Sequence, residues 1–420
     1  MNRGLTIRSA TSRVSYHAPW VSIDDAYLVL ALIACALVPF AAVPFILLYA
    51  MEERHSSLLF ALLVGLLAAS LAYGVHTTVT ADIDRYTESL KVFRETSFIG
   101  VFSIEGVYSS VGSHGYNLLA WVVSKFGNDQ LLRSVVVFSF YSIASYIIDD
   151  YACHHQWGIA TRISSSLLCV SIVPFFNILS YAKSTPAFSI LLLAVYSDFE
   201  KHSNRFTLLL LYVLSASMHS AVLPVIALRL ALLVFRSVIP VYLLGGLLQP
   251  ISALLSAAIP AALRNLPLIS LFVYALDRFA MYSEFDGWGW AAASRDSILL
   301  NGYRYYFVAI ALLYIVLRFF GKSDSKSRFL EFGGVWSALS ITIALAISAD
   351  VFFRYAMPAA VFFSLVSMEC MKGRMKSFLV CALGLIALVG VLVQLAYLAS
   401  VCDMTTFALH GMFGLEQWFE

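Results

Sequence analysis

The chain has 420 residues, of which 60% are hydrophobic and 12% charged, with a mean hydropathy of +0.83. Soluble globular chains carry about 25% charged residues, so there is too little charge here to cover a water-facing surface, and a soluble enzyme or a disordered chain is excluded. A net charge of +2 supplies no field that would select nucleic acid; what remains is a polytopic, all-α membrane protein whose outer surface is the lipid bilayer.

The first 25 residues are polar and contain Arg3, Arg8 and Arg13, and the apolar run after them is too long for the core of a cleavable signal. A spanning helix needs about 20 mostly apolar residues. Apolar runs lie at 27–50, 57–76, 131–149, 163–181, 185–199, 206–219, 220–236, 237–259, 303–320, 335–351, 353–370 and 378–400, which predicts about twelve transmembrane helices in one integral-membrane domain, 1–420. Pro39 and Pro44 should kink the first. The stretch 206–236 is too long for one crossing and divides near His219 into a bent pair. Two hydrophilic interruptions are long, 76–130 and 260–302. The six cysteines form no CxxC pair, so neither a disulfide framework nor a zinc site is expected.

Short basic loops stay cytoplasmic. Three are present: Lys201 with Arg205; Arg318, Lys322, Lys326 and Arg328; and Lys372, Arg374 and Lys376. The tail after Ser400 has no Lys or Arg and belongs outside, and counting back places both long loops outside too. Counting also puts the N-terminus outside, against its three arginines. Either the rule fails there or the Pro39/Pro44 segment does not fully cross.

Costly polar residues then gather at the outer helix ends. In chain order, Asp82, Asp84, Arg85 and Tyr86 follow the second run. An Asp-x-Asp pair suits a divalent cation, a general base or a plain helix N-terminus; no metal or other cofactor is expected. Ser113-His114-Gly115-Tyr116-Asn117-Leu118-Leu119 reads as a turn into an interfacial helix. Lys183, in Asn177-Ile178-Leu179-Ser180-Tyr181-Ala182-Lys183-Ser184, reads as a snorkelling lysine or a phosphate-binding ammonium. His219 interrupts an apolar run, as a structural or a catalytic histidine. Asp277, Arg278 and Tyr282, with Trp288 and Trp290 beyond, offer sugar-stacking aromatics or interfacial anchors. Asp350 and Arg354, followed by Tyr355, break the late apolar stretch as a loop ion pair or a phosphate fork. Asp149, Asp150 and Cys153-His154-His155 sit in a cytoplasmic loop and read as structural.

Taken in order, Asp82 to Tyr86, Gly115 to Leu119, Lys183, His219-Ser220-Ala221 and Arg354-Tyr355 resemble the short motifs of the EpsG/Wzy-type polysaccharide polymerases, over residues 57 to 370. Two positions depart from that pattern: Ser113-His114 stands where the family commonly has Glu-Pro, and Lys183 where it usually has Arg. The resemblance implies a GT-C-like helical bundle in the bacterial inner membrane. It implies a donor and an acceptor that are undecaprenyl-diphosphate-linked oligosaccharides met on the periplasmic side, and a chain-length regulator as partner. The product would be O-antigen, capsule or a related polysaccharide. On this reading Arg354 leads in holding the diphosphate, with Lys183 and Arg278 assisting. His219 or Asp82 takes the acceptor's proton. Asp84, Arg85, Tyr86, His114, Tyr116, Asp277, Tyr282, Asp350 and Tyr355 line the substrate. A flippase for lipid-linked sugars and a ligase acting on a second lipid acceptor are the alternatives.

Overall fold

The computed structural model of the protein describes residues 23–52, 55–75, 82–104, 113–235, 238–248, 252–264, 266, 269–270, 273–274, 276–277, 298–320, 327–346, 349–370 and 376–402. Eighteen α-helices and no strand form among them.

Helices α1 (Ile23–Leu37) and α2 (Val43–Met51) flank a 3₁₀ turn at Pro39–Ala42. Proline lacks an N–H and cannot carry a helix through. The result is sharper than the expected kink. α1 packs against α2, and Ala31, Cys35, Ile46, Tyr49 and Ala50 share a small core with Phe60 and Leu63 of α3 (Ser57–Tyr73). Consecutive helices share a core this way only when the chain doubles back between them. The first apolar run is therefore two short helices broken at Pro39–Ala42 and packed on each other and on α3, rather than one kinked helix.

The segment 76–130 is not a bare loop. It holds α4 (Asp82–Glu95) and α5 (His114–Ser124), which pack together, with a 3₁₀ turn at Gly100–Ser103 between them. Next come α6 (Leu131–His154), α7 (Ile159–Ile172), α8 (Phe175–Ser180), α9 (Ser184–Phe199), α10 (Arg205–Met218) and α11 (Leu223–Val234). Asp149, Asp150, Cys153 and His154 belong to the last turns of α6 rather than to a loop. The predicted bend at His219 is present: the residue is extended (φ −159°, ψ 127°), and a 3₁₀ turn at Ser220–Val222 leads into α11 with Pro224 in its first turn. Beyond lie α12 (Val238–Leu248), α13 (Ser252–Ala258), α14 (Ala261–Arg264), α15 (Ile298–Phe320), α16 (Arg328–Ala346), α17 (Ala349–Glu369) and α18 (Lys376–Val401). Asp350 and Arg354 thus fall inside α17, not in a connecting loop.

Among the described residues three helices are long and apolar enough to cross a membrane: Leu131–His154, Arg328–Leu345 and Ala382–Ser400. Shorter apolar helices of 10–17 residues accompany them.

Polar contacts sort the helix ends into two groups. At one end, Arg133 near the start of α6 meets Asp84 at 2.6 Å, and Asn128 donates to the Tyr73 hydroxyl at the end of α3 at 2.7 Å. At the other, Asp149 accepts from Ser57 at 2.5 Å and pairs with Arg162 of α7 at 2.7 Å. Lys201 pairs there with Asp150 at 2.7 Å, Ser327 donates to Glu200 at 2.5 Å, and Tyr151 donates to Glu369 at 2.5 Å. Helices α6, α9 and α17 therefore run one way, and α3, α7, α10, α16 and α18 the other. The described basic residues of these loops, Lys201, Arg205, Arg318 and Arg328, fall at the second end. Between the ends, Phe188, Trp336, Tyr355 and Phe362 pack as one buried aromatic cluster across α9, α16 and α17.

Candidate functional site

The first end of the bundle carries the cluster. Helix α4 opens with Asp82 and Asp84, where carboxylates complement the helix dipole. They do not converge. Asp82 pairs with Arg85 one turn on, while Asp84 reaches across to Arg133. Tyr86 follows Asp82 by four residues, so both stand on one face of α4.

The Tyr86 ring meets that of buried Tyr116 edge-on, centroids 5.6 Å apart. The Lys183 Nζ lies 5.3 Å from the Tyr86 centroid and 5.2 Å from that of Tyr116. An ammonium is attracted to such aromatic faces by about 0.5–2 kcal/mol. Lys183 stands in the turn between α8 and α9 and is only 6% exposed, so it does not snorkel to water. Among the described residues its ammonium makes no ion pair and no hydrogen bond. Burial, then the nearby Arg354 guanidinium, push it down to about 8.

Gly115 explains how α5 delivers Tyr116. A Cβ at that position would stand 2.4 Å from the Ser217 Oγ and 3.1 Å from the Ser217 backbone carbon. Only glycine lets the start of α5 sit so close to the end of α10, one step from His219.

At His219 the Nδ1 accepts the Ala221 amide at 3.1 Å, capping the 3₁₀ turn. A ring nitrogen that accepts carries no proton, so the neutral ring keeps its proton on Nε2 and presents a donor there. Arg354 of α17 lies over the Tyr181 ring, 5.0 Å from its centroid. The next residue, Tyr355, donates to the Ala221 carbonyl at 2.7 Å and so ties α17 to the turn after His219. The Tyr355 carbonyl in turn accepts from Trp336 Nε1 and from the Ser340 hydroxyl, each at 3.1 Å. Lys183 and Arg354 lie within electrostatic reach of one another, and both act on His219.

Tyr86, Tyr116, Lys183, His219, Arg354 and Tyr355 are thus brought together from five separate segments, with Asp82 one helical turn from Tyr86. Arg85 is exposed and occupied by Asp82, and His114 is exposed against Phe102. Asp277 is exposed and accepts from the Ser256 hydroxyl. Arg278, Tyr282, Trp288 and Trp290 lie outside the described residues, as does the side chain of Asp350. Two contributors had not been singled out: Tyr181, two residues before Lys183, and Arg133, which holds Asp84.

A second constellation sits at the opposite end. Ligand atoms of His55, Asp149 and Cys153 lie within 4.8 Å of one another. Asp149 is already saturated, however. It accepts from Ser57, from His55 Nε2 at 2.9 Å, and from two nitrogens of Arg162 at 3.0 and 2.7 Å. With the Arg162 charge balancing the carboxylate, the geometry describes a buried strut joining the start of α3 to α6 and α7. The sequence hides it, because His55 and Asp149 are 94 positions apart.

No protein-family model, curated protein or solved structure matches the chain. The chemistry of the cluster stands on its own geometry. Two cations and an N–H donor converge among three tyrosine rings, and among the described residues no carboxylate touches Lys183. A multiply charged anion attached to a ring with apolar faces suits such a place, since guanidinium and ammonium groups match phosphate oxygens and tyrosines match the C–H faces of sugars.

Proposed function

We propose that the protein is a polysaccharide polymerase that transfers a growing glycan from undecaprenyl diphosphate onto a new lipid-linked oligosaccharide repeat unit. The observation that carries this reading is Lys183: an ammonium nine-tenths buried, held among the described residues by aromatic faces, beside Arg354 and His219. Among the described residues no carboxylate contacts that ammonium, so it is placed to receive an anion.

The sidedness supports the same reading. Lys201, Arg205, Arg318 and Arg328 lie at the end opposite the site, so the positive-inside rule turns the site toward the periplasm. With α1–α2 re-entrant, the crossings run through α3, α6, α7–α8, α9, α10, α11, α12–α13, α15, α16, α17 and α18. This GT-C-like bundle begins in the cytoplasm, ends outside and leaves both 76–130 and 260–302 on the periplasmic face of a bacterial inner membrane.

In the reaction the acceptor hydroxyl attacks the anomeric carbon of the donor glycan. A new glycosidic bond forms, the bond to the diphosphate oxygen breaks, and undecaprenyl diphosphate leaves as an anion. Arg354 and Lys183 stabilise the charge as it grows. His219 donates from Nε2 and assists them, since its Nδ1 is committed to Ala221. The acceptor's proton goes to Asp82, the carboxylate one turn from Tyr86. No nucleotide is consumed, because the diphosphate is already an activated leaving group.

Purified protein given lipid-linked repeat units tests the proposal. Arg354→Ala is expected to lower chain extension about 10²–10³-fold with the fold intact. Wild-type polymer lengths from that variant would remove Arg354 from the reaction. Elongation from one substrate type distinguishes a polymerase from a ligase, which needs a second acceptor lipid. A flippase forms no new glycosidic bond.

A further inference from the structure

We propose that α4, the Gly100–Ser103 turn and α5 form a monotopic unit whose apolar edge is embedded in the lipid leaflet at the site end of the bundle. The observations lie in the two faces of this unit. The inner face of α5 is buried and carries Tyr116, Asn117, Ala120 and Val123. Its other stripe, Leu118, Trp121, Val122 and Lys125, follows the i, i+3, i+4, i+7 spacing of one helix face. Leu118 and Val122 are exposed there although apolar.

The exposed edge continues beyond the helix. Ile99 is 81% exposed, Phe126 72% and Phe98 53%, and Phe102 is exposed beside them. Phe98 packs edge-on against both Phe102 and Trp121, with centroids 5.8 and 5.4 Å away, so the rings form one continuous surface. Isolated exposed apolar residues need no explanation, but a contiguous patch does.

The chemistry at the rim names the occupant as bilayer lipid rather than a protein. Trp121 donates its indole N–H to the Thr96 carbonyl at 3.0 Å, and its half-buried ring stands against the exposed Phe98. Lys125 lies 5.1 Å from that ring, with its ammonium turned back to the Arg94 carbonyl at 2.7 Å. A tryptophan ring flanked by a lysine at the border of an apolar surface is the arrangement favoured at headgroup depth. On α4, Arg85 and Glu88 supply an exposed charged surface. The patch also lies beside a second exposed apolar face. Gly115 seats α5 on the end of α10, whose Leu209, Leu210, Val213 and Leu214 are exposed.

The proposal is independent of the polymerase reading, and its test needs no activity. In full-length protein carrying Cys153→Ser, a bimane fluorophore is placed at Ile99→Cys, and separately at Glu88→Cys on the polar side of α4. The protein is reconstituted in phosphatidylethanolamine–phosphatidylglycerol vesicles. The Ile99 probe should be quenched severalfold more by doxyl-labelled lipid than the Glu88 probe, and should be shielded from aqueous iodide. Phe126→Cys gives a second position should Ile99→Cys fail to fold. Quenching of these probes by iodide but not by doxyl lipid would overturn the proposal. So would protection from both quenchers, which marks a protein partner or a second copy of the chain.

Discussion

Lys183 sets the chemistry of its site through two opposing effects. Two tyrosine faces favour the ammonium, whereas burial and Arg354 disfavour it. With its ordinary value lowered to about 8, the cation is fully present below that pH and is lost as pH rises through it. At subsaturating substrate, which reports the free enzyme, chain extension is expected to fall between pH 7 and pH 9. Lys183→Arg should abolish that fall, because a guanidinium stays charged to above about pH 12. A wild-type profile flat across this range would mean that the Lys183 charge is not used. Much of this residue-scale picture was legible beforehand. Lys183, His219 and Arg354 stood out because charge and imidazole are costly in apolar runs. The tautomer of His219 was not legible, since it depends on the Ala221 amide folding back onto Nδ1. Nor was the pairing of Asp82 and Asp84 with different arginines, because Arg133 lies 49 positions from Asp84.

At the scale of elements, the close seat of α5 on α10 decides whether Tyr116 reaches Lys183. Gly115→Ala places a methyl 2.4 Å from the Ser217 hydroxyl, and overpacking of this kind costs about 1–3 kcal/mol. Thermal unfolding and chain extension should both fall in this variant. Adding Ser217→Gly should recover part of each by removing the hydroxyl, while the Ser217 backbone still crowds the methyl. Full activity in Gly115→Ala alone would mean that the seat has no role in positioning Tyr116. Helix locations followed from the apolar runs, and the break at His219 from a polar residue shortly before Pro224. The fold of 76–130 did not follow. Helix α4 is too polar to read as a span, and α5, at 11 residues, is too short. Their pairing rests on Tyr86 meeting Tyr116, a contact no local pattern encodes.

Across the whole molecule, α6, α9 and α17 each run from the neighbourhood of the cationic site to an ion pair or carboxylate contact at the far end. Asp149 anchors that far end. Asp149→Asn leaves Arg162 buried without its counter-charge, and breaking a buried pair costs about 3–5 kcal/mol. Thermal stability should drop by a corresponding amount while chain extension per folded molecule is kept. A loss of turnover as deep as that of Arg354→Ala would show the two ends to be mechanically linked. Sidedness is open to a separate check. In a Cys153→Ser background, Ser9→Cys should react with an impermeant thiol reagent only from the cytoplasmic side, and Leu415→Cys only from the periplasmic side. Labelling of Ser9→Cys from outside would contradict the doubled-back hairpin. The positive-inside rule had pointed to this conflict without resolving it, because apolarity alone does not tell a hairpin from a kinked crossing.

The hairpin also constrains how the chain is made. Its two short helices are completed by Phe60 and Leu63 of α3, so they have no finished packing surface until α3 has left the ribosome. On the proposed topology α3 is the segment that commits to the translocon, and the hairpin waits beside it on the ribosome's side of the membrane.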